Sequence, residues 1–149
     1  MPVMPDLLDQ LISNPGVYVG SDVDPTEGHG SGPAAARIVV QPLPGGAGVA
    51  MDYECLRPEA GRVHAEHAVL ARTPSGLVLL TAHSHAPVAA VLHETEAGLF
   101  PAAEGDSPFP MAIRLEVPEP GHLRYLWSYG MPGEELQLRD EGDLRLVEG

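Results

Sequence analysis

The sequence predicts an all-β protein, a closed antiparallel up-and-down barrel of about ten strands with one short helix near its start. Three observations predict it. Short runs rich in Val, Leu and Tyr recur along the chain, and most alternate apolar with polar residues. Tight-turn chemistry separates them at even spacing: P-L-P-G-G, R-P-E-A-G, T-P-S-G, P-E-P-G, G-M-P-G and D-E-G-D. Long amphipathic helices, which a parallel sheet needs for its crossovers, are missing from the pattern.

The elements follow in order. P-D-L-L-D-Q-L-I-S, residues 5–13, reads as a helix. Leu7, Leu8, Leu11 and Ile12 share one side, and Asn14-Pro15-Gly16 stops it. So short a helix is marginal alone and must pack on something, for instance one end of a barrel. From residue 16 onward the chain reads as strands: Val17–Val23, Ala35–Gln41, Gly48–Leu56, Arg62–Ala71, Leu77–Ser84, Val88–Thr95, Met111–Val117, His122–Tyr129, Glu134–Asp140 and Asp143–Val147. Asp24–Pro33 and Pro101–Pro110 read as irregular loops at a barrel mouth. The 16 prolines and 17 glycines thus punctuate strands instead of marking disorder. Hairpin-linked strands leave exposed edges unless the sheet closes, and closure into a barrel removes them. A two-sheet sandwich is the alternative, but it needs longer crossovers than these turns provide.

Length and charge bound the function. At 149 residues the chain is read as one domain, 1–149, large enough to bury roughly 70% of its unfolded surface. The net charge of -13, with eight scattered arginines as the only Arg or Lys residues, excludes a nucleic-acid partner, because phosphate backbones need basic clusters. No window reaches the ~18 consecutive apolar residues of a membrane helix. M-P-V-M-P-D-L-L-D-Q-L-I lacks a basic start and a long apolar run, so a cytoplasmic protein away from the membrane is expected. A single cysteine, Cys55 in M-D-Y-E-C, forms no internal disulfide and reads as a buried reduced thiol.

One segment suggests a site. A four-residue T-P-S-G loop makes opposing residues sum to 149, so His64 faces His85, Glu66 faces His83, Ala68 faces Thr81 and Leu70 faces Leu79. All share one face, because side chains alternate along a strand. A three-residue loop would put His67 opposite His83 instead. With the first register, three readings are open: polar anchors in a mostly apolar pocket, a metal site of histidine and carboxylate, or a solvated outer face. His29 and His122 read as exposed turn residues, and His93 as packed or at the rim. Asp52 and Glu54 read as a solvated strand face. Leu123, Tyr125, Trp127 and Tyr129 share a large apolar face that is either core or pocket wall. No nucleophile elbow, Gly-rich phosphate loop or H-E-x-x-H is present, so no catalytic residue is assigned.

The sequence resembles the nitrobindin family, within the calycin barrels that include lipocalins and fatty-acid-binding proteins. G-V-Y-V-G, Gly16 to Gly20, is similar to the G-x-W-x-G that opens such barrels, with Tyr18 in the aromatic position. G-R-V-H-A-E-H-A-V-L-A-R followed by L-V-L-L-T-A-H-S-H resembles the family's H-x-E-x-G hairpin. The resemblance implies a barrel with a cavity, His64 at the family's pocket histidine and His83 at a second pocket position. Two features depart from it: the G-x-G-x-Y-P continuation is replaced by S-D-V-D-P-T-E-G, and no histidine follows His122. Haem-binding members use a histidine near the C-terminus, so no haem or other cofactor is expected. The expected partner is a small hydrophobic or amphipathic molecule held by His64, Glu66, His83, His85 and Trp127. A homodimer stays an open arrangement. The rival expectations are haem- or metal-dependent chemistry in the same cavity and a purely structural barrel.

Overall fold

The computed structural model describes residues 5–23, 34–57, 61–84, 88–103 and 105–149. Among these residues are one α-helix, α1 (Leu7–Ser13), a single 3-10 turn at Pro44–Gly46, and ten strands: β1 (Gly16–Val23), β2 (Ala34–Pro42), β3 (Gly48–Arg57), β4 (Gly61–Thr73), β5 (Gly76–His83), β6 (Val88–His93), β7 (Leu99–Pro101), β8 (Met111–Glu119), β9 (His122–Tyr129) and β10 (Gln137–Glu148). All pair antiparallel in one sheet of order β6-β5-β4-β3-β2-β1-β10-β9-β8-β7. Sequence neighbours pair along two meanders, and β1 joins β10 to bring them into one nearly closed barrel. Its open seam lies between β6 and β7, which touch without a ladder of hydrogen bonds.

The closure at β1–β10 explains two glycines. A methyl at Gly16 would collide with the carbonyl oxygen of Glu148, and one at Gly20 with that of Asp143. The glycines of G-V-Y-V-G therefore let the first strand lie close against the last. Between them Tyr18 points inward, 1% exposed, and its hydroxyl donates to the Asn14 carbonyl at 2.5 Å. That bond ties the first strand to the end of the helix.

The helix lies across one end of the barrel. Asp6 caps it: its carboxylate accepts from the Asp9 N–H at 2.8 Å, and the Asp9 side chain reaches back to the Asp6 N–H. Leu8 and Leu11 are fully buried and pack with the core residues of the wall. Arg72, near the end of β4, donates to Asp6 at 2.6 Å and to Asp9 at 3.1 Å, clamping the helix down. The half of the interior beneath α1 is apolar, with Val40, Val49, Leu70, Leu79, Leu92 and Leu123.

Most strand expectations hold within a residue or two at each end. Two need correction. Glu134–Asp140 and Asp143–Val147 are not two strands, because β10 runs unbroken from Gln137 to Glu148 through D-E-G-D. Gly142 there is not a turn residue. It lies against Tyr53, and a Cβ on it would sit 2.9 Å from the Tyr53 hydroxyl oxygen. The second correction is β7, which is absent from the expected strands. Its three residues are too few to show alternation, and its Pro101 reads as loop. The expected loop Asp24–Pro33, with His29, falls outside the described residues, as does His85. Among the described residues no helix is long and apolar enough to cross a membrane.

Candidate functional site

The hairpin register is the expected one, but Thr73 also pairs with Gly76, so the loop is the two residues Pro74 and Ser75 instead of four. Glu66 pairs with His83, Ala68 with Thr81, Leu70 with Leu79 and Arg72 with Leu77. Alternation then turns His64, Glu66, Thr81 and His83 inward, where each is about 4–5% exposed. His67 points outward and pairs with Asp52, so the solvated-face reading belongs to that side of the hairpin. Arg72 and His64 are eight residues apart on β4, roughly 26 Å at a strand's rise. The polar cluster accordingly lies toward the end of the barrel away from α1.

Three strands complete the cluster. β9 supplies Tyr125 and Trp127, β3 supplies Tyr53, and β1 supplies Asp22, all buried. Two irregularities in pairing flank it. The register of β3 with β4 shifts between Cys55 and Leu56, next to His64. That of β10 with β9 shifts between Leu138 and Asp140, and Asp140 is opposite Trp127. Bulges bend a strand locally and re-aim its side chains, and here both fall beside the polar cluster.

Glu66 is the hub. It accepts hydrogen bonds from the Tyr125 and Thr81 hydroxyls. Its oxygens lie 3.6 Å from His83 Nε2 and 3.9 Å from His64 Nε2. Burial pushes the Glu66 carboxyl up, but nearby His64, the charge of His83 and the two hydroxyls outweigh burial and hold it below the usual range. The carboxylate is therefore ionised. Burial, then the Glu66 charge, pushes Tyr125 well above its ordinary value, so its hydroxyl remains a donor. His83 Nε2 is 3.0 Å from the Thr81 hydroxyl. His64 Nε2 is buried and has no hydrogen-bond partner. A buried polar atom left in this way costs about 1–3 kcal/mol.

Aromatic rings enclose the histidines. Trp127 stacks on His83 at 4.5 Å between ring centroids and lies 5.6 Å from His64. Tyr53 meets the His64 ring edge-on at 5.5 Å. Trp127, 1% exposed, is thus both core and wall of the site, and its own Nε1 is buried without a hydrogen-bond partner. Below Glu66 a cavity of about 10 Å³ is lined by Ile38, Met51, Tyr53, Ala68, Leu79, Leu115 and Tyr125. That is space for one water at most.

A second buried acid adjoins the trio. Asp22 accepts from the Tyr53 hydroxyl, and the Tyr53 and Tyr125 rings lie 4.7 Å apart. Burial pushes Asp22 above its ordinary value, partly offset by hydrogen bonding with Asp140 and Tyr53. Cys55 is buried beside them, and burial pushes its thiol far above the usual range. This matches the expectation of a buried, unpaired thiol.

The site residues expected from the sequence are therefore partly assembled: His64, Glu66, His83 and Trp127 converge, and His85 lies outside the described residues. Thr81 and Tyr125 lie on the faces that alternation predicts, without having been named as site residues, and Tyr53 and Asp22 join them without having been expected there. Period-two counting carries the signal for the last two, since Asp22 shares the face of Tyr18 and Tyr53 alternates with the outward Asp52 and Glu54. Of the other histidines, His93 is exposed, at the rim side of its expectation. His122 is not freely exposed: its side chain is 11% exposed and lies 2.5 Å from Asp143. Asp52 is exposed and Glu54 half-buried on the outer face, as expected. No protein-family model matches the chain, and no curated protein shows significant similarity to it.

Proposed function

We propose that this barrel is a binding protein, with His64, Glu66 and His83 as the polar anchors of an interior site walled by Trp127. One observation carries the reading. His64, Glu66 and His83, with Asp22 beside them, are sunk in a largely apolar interior, and His64 presents an unanswered ring nitrogen. A barrel that served only as scaffold would be more stable with apolar residues there, because burying such groups costs free energy unless they are fully paired. The occupant we favour is a small, partly apolar molecule with a polar head for the histidines. The packed interior requires that Trp127 move off His83 to admit anything larger than a water or an ion. Kinship with the calycin barrels and a cytoplasmic setting belong to the same proposal, supported by the meander, the Gly16–Gly20 motif and the acidic composition.

Trp127 is the only tryptophan in the sequence and reports on the site directly. Small apolar compounds bearing a hydrogen-bonding head are expected to change its emission and raise the melting temperature. Both effects should be weaker in His64→Leu and His83→Leu. A panel that moves neither signal, together with leucine variants more stable than the parent, would make the barrel a scaffold.

A further inference from the structure

We infer that His64, Glu66 and His83 bind one divalent transition-metal ion of the zinc class. The inference rests on the reading above that the interior centre is a binding site, and it names the occupant that the three donor atoms suit.

The donor chemistry comes first. Two imidazoles and one carboxylate are a recurrent three-residue set for zinc, which leaves the fourth position to water or to a ligand's donor atom. Calcium and magnesium call for oxygen donors throughout and do not suit two imidazoles. The thiol of Cys55 is not part of the trio, so no thiolate biases the site toward softer ions.

The geometry is close to what such an ion needs. One donor atom from each residue lies within 4.8 Å of the other two. The carboxylate is 3.9 Å from His64 Nε2 and 3.6 Å from His83 Nε2. Zinc–ligand bonds of about 2.0–2.2 Å in a tetrahedron put donors roughly 3.3–3.6 Å apart. Side-chain shifts of about an ångström therefore bring the trio onto an ion.

A second, independent feature points to an occupant. The His64 side chain is 5% exposed, and its Nε2, aimed toward Glu66, has no hydrogen-bond partner. A metal ion would satisfy that lone pair. The surroundings also resemble a supporting shell. Tyr125 and Thr81 already orient the Glu66 carboxylate by donating to its two oxygens, and such outer contacts fix the first ligands of metal sites. Thr81 also lies 3.0 Å from His83 Nε2. When Thr81 donates to Glu66, its oxygen accepts from a protonated His83 Nε2. Coordination through Nε2 requires the neutral tautomer with its proton on Nδ1, so the Nε2 proton of a neutral His83 moves to Nδ1 when the ion binds. The Trp127 and Tyr53 rings close over the histidines and give the fourth position apolar walls.

The test uses the full chain stripped of metal with a chelator, then titrated with cobalt(II) and zinc(II). We expect cobalt to give the intense visible absorption of low-coordinate sites at one ion per chain. Zinc should displace it with the same stoichiometry. Cobalt should also quench Trp127. His64→Leu and His83→Leu should each weaken binding by more than roughly 100-fold. His67→Ala, which alters the exposed pair with Asp52, should leave binding unchanged. Should the leucine variants not fold, copper(II) bound to the unaltered protein decides, because its electron paramagnetic resonance must show coupling to two imidazole nitrogens. A cobalt spectrum like that of the hydrated ion, a copper spectrum without two nitrogens, or binding abolished by His67→Ala would overturn the inference. If metals fail while apolar compounds still change Trp127 emission, the metal assignment falls and the binding-protein reading survives. If neither class has an effect, both fall.

Discussion

Asp22 and Cys55 show how one buried microenvironment sets the behaviour of individual groups. Burial raises the Asp22 carboxyl above its ordinary 3.8, so the folded protein holds that proton more tightly than the unfolded chain does. Its contribution to stability is therefore fully present below the unfolded value and is lost as pH rises through the folded one. Asp22→Asn keeps an acceptor for Tyr53 and cannot ionise. Urea midpoints of the variant should fall less than those of the parent between acid and neutral buffer. A steeper fall in the variant would reverse this assignment. The Cys55 thiol is raised by burial, then by the Asp22 charge, so it stays protonated and inert. Iodoacetamide should label it only after denaturant is added, as mass spectrometry can show. At this scale the sequence was legible wherever alternation gave a face, as for Glu66 opposite His83. It was silent on what the facing strands bring. That Tyr125 answers Glu66 from 59 residues away depends on closure of the barrel, not on local pattern.

Elements were legible to the extent that their turns were. T-P-S-G fixed the β4–β5 register, and the helix was marked by its leucine spacing and by the stop at Asn14. The D-E-G-D segment misled because its glycine does not turn the chain; it makes room for the Tyr53 hydroxyl. The clamp of Arg72 on α1 was hidden because the partners are 66 and 63 residues apart. The helix itself is too short to persist without its cap and its clamp. Asp6→Ala removes the cap and one arm of the clamp together, and loss of such a cap costs about 1 kcal/mol. Urea unfolding followed by circular dichroism should register that loss. An unchanged midpoint would mean that Leu8, Leu11 and the remaining Arg72–Asp9 pair suffice to hold the helix.

For the molecule as a whole, composition and turn spacing were enough to give an antiparallel barrel, because ten edge-bearing strands have few other ways to bury one face. The number of strands agrees partly by compensation, since two expected strands merge into β10 and β7 adds one. Closure through β1–β10 depends on the close approach at Gly20. Gly20→Ala places a methyl against the Asp143 carbonyl and should cost about 1–3 kcal/mol, as overpacking does. Faster amide exchange in β1 and β10 than in β4 and β5 would locate the damage at that joint. Equal exchange everywhere would argue that the strands part without cost.

The same joint governs how the chain assembles. Every ladder except β1–β10 links strands adjacent in sequence and can zip locally. The β1–β10 ladder must bring together residues more than a hundred apart, such as Val19 and Arg145, against a larger loss of chain entropy. The two meanders therefore form early and separately. Contact order therefore predicts that the β1–β10 ladder forms last, and that the histidine–glutamate centre gains its Tyr125 bond and Trp127 cover with it.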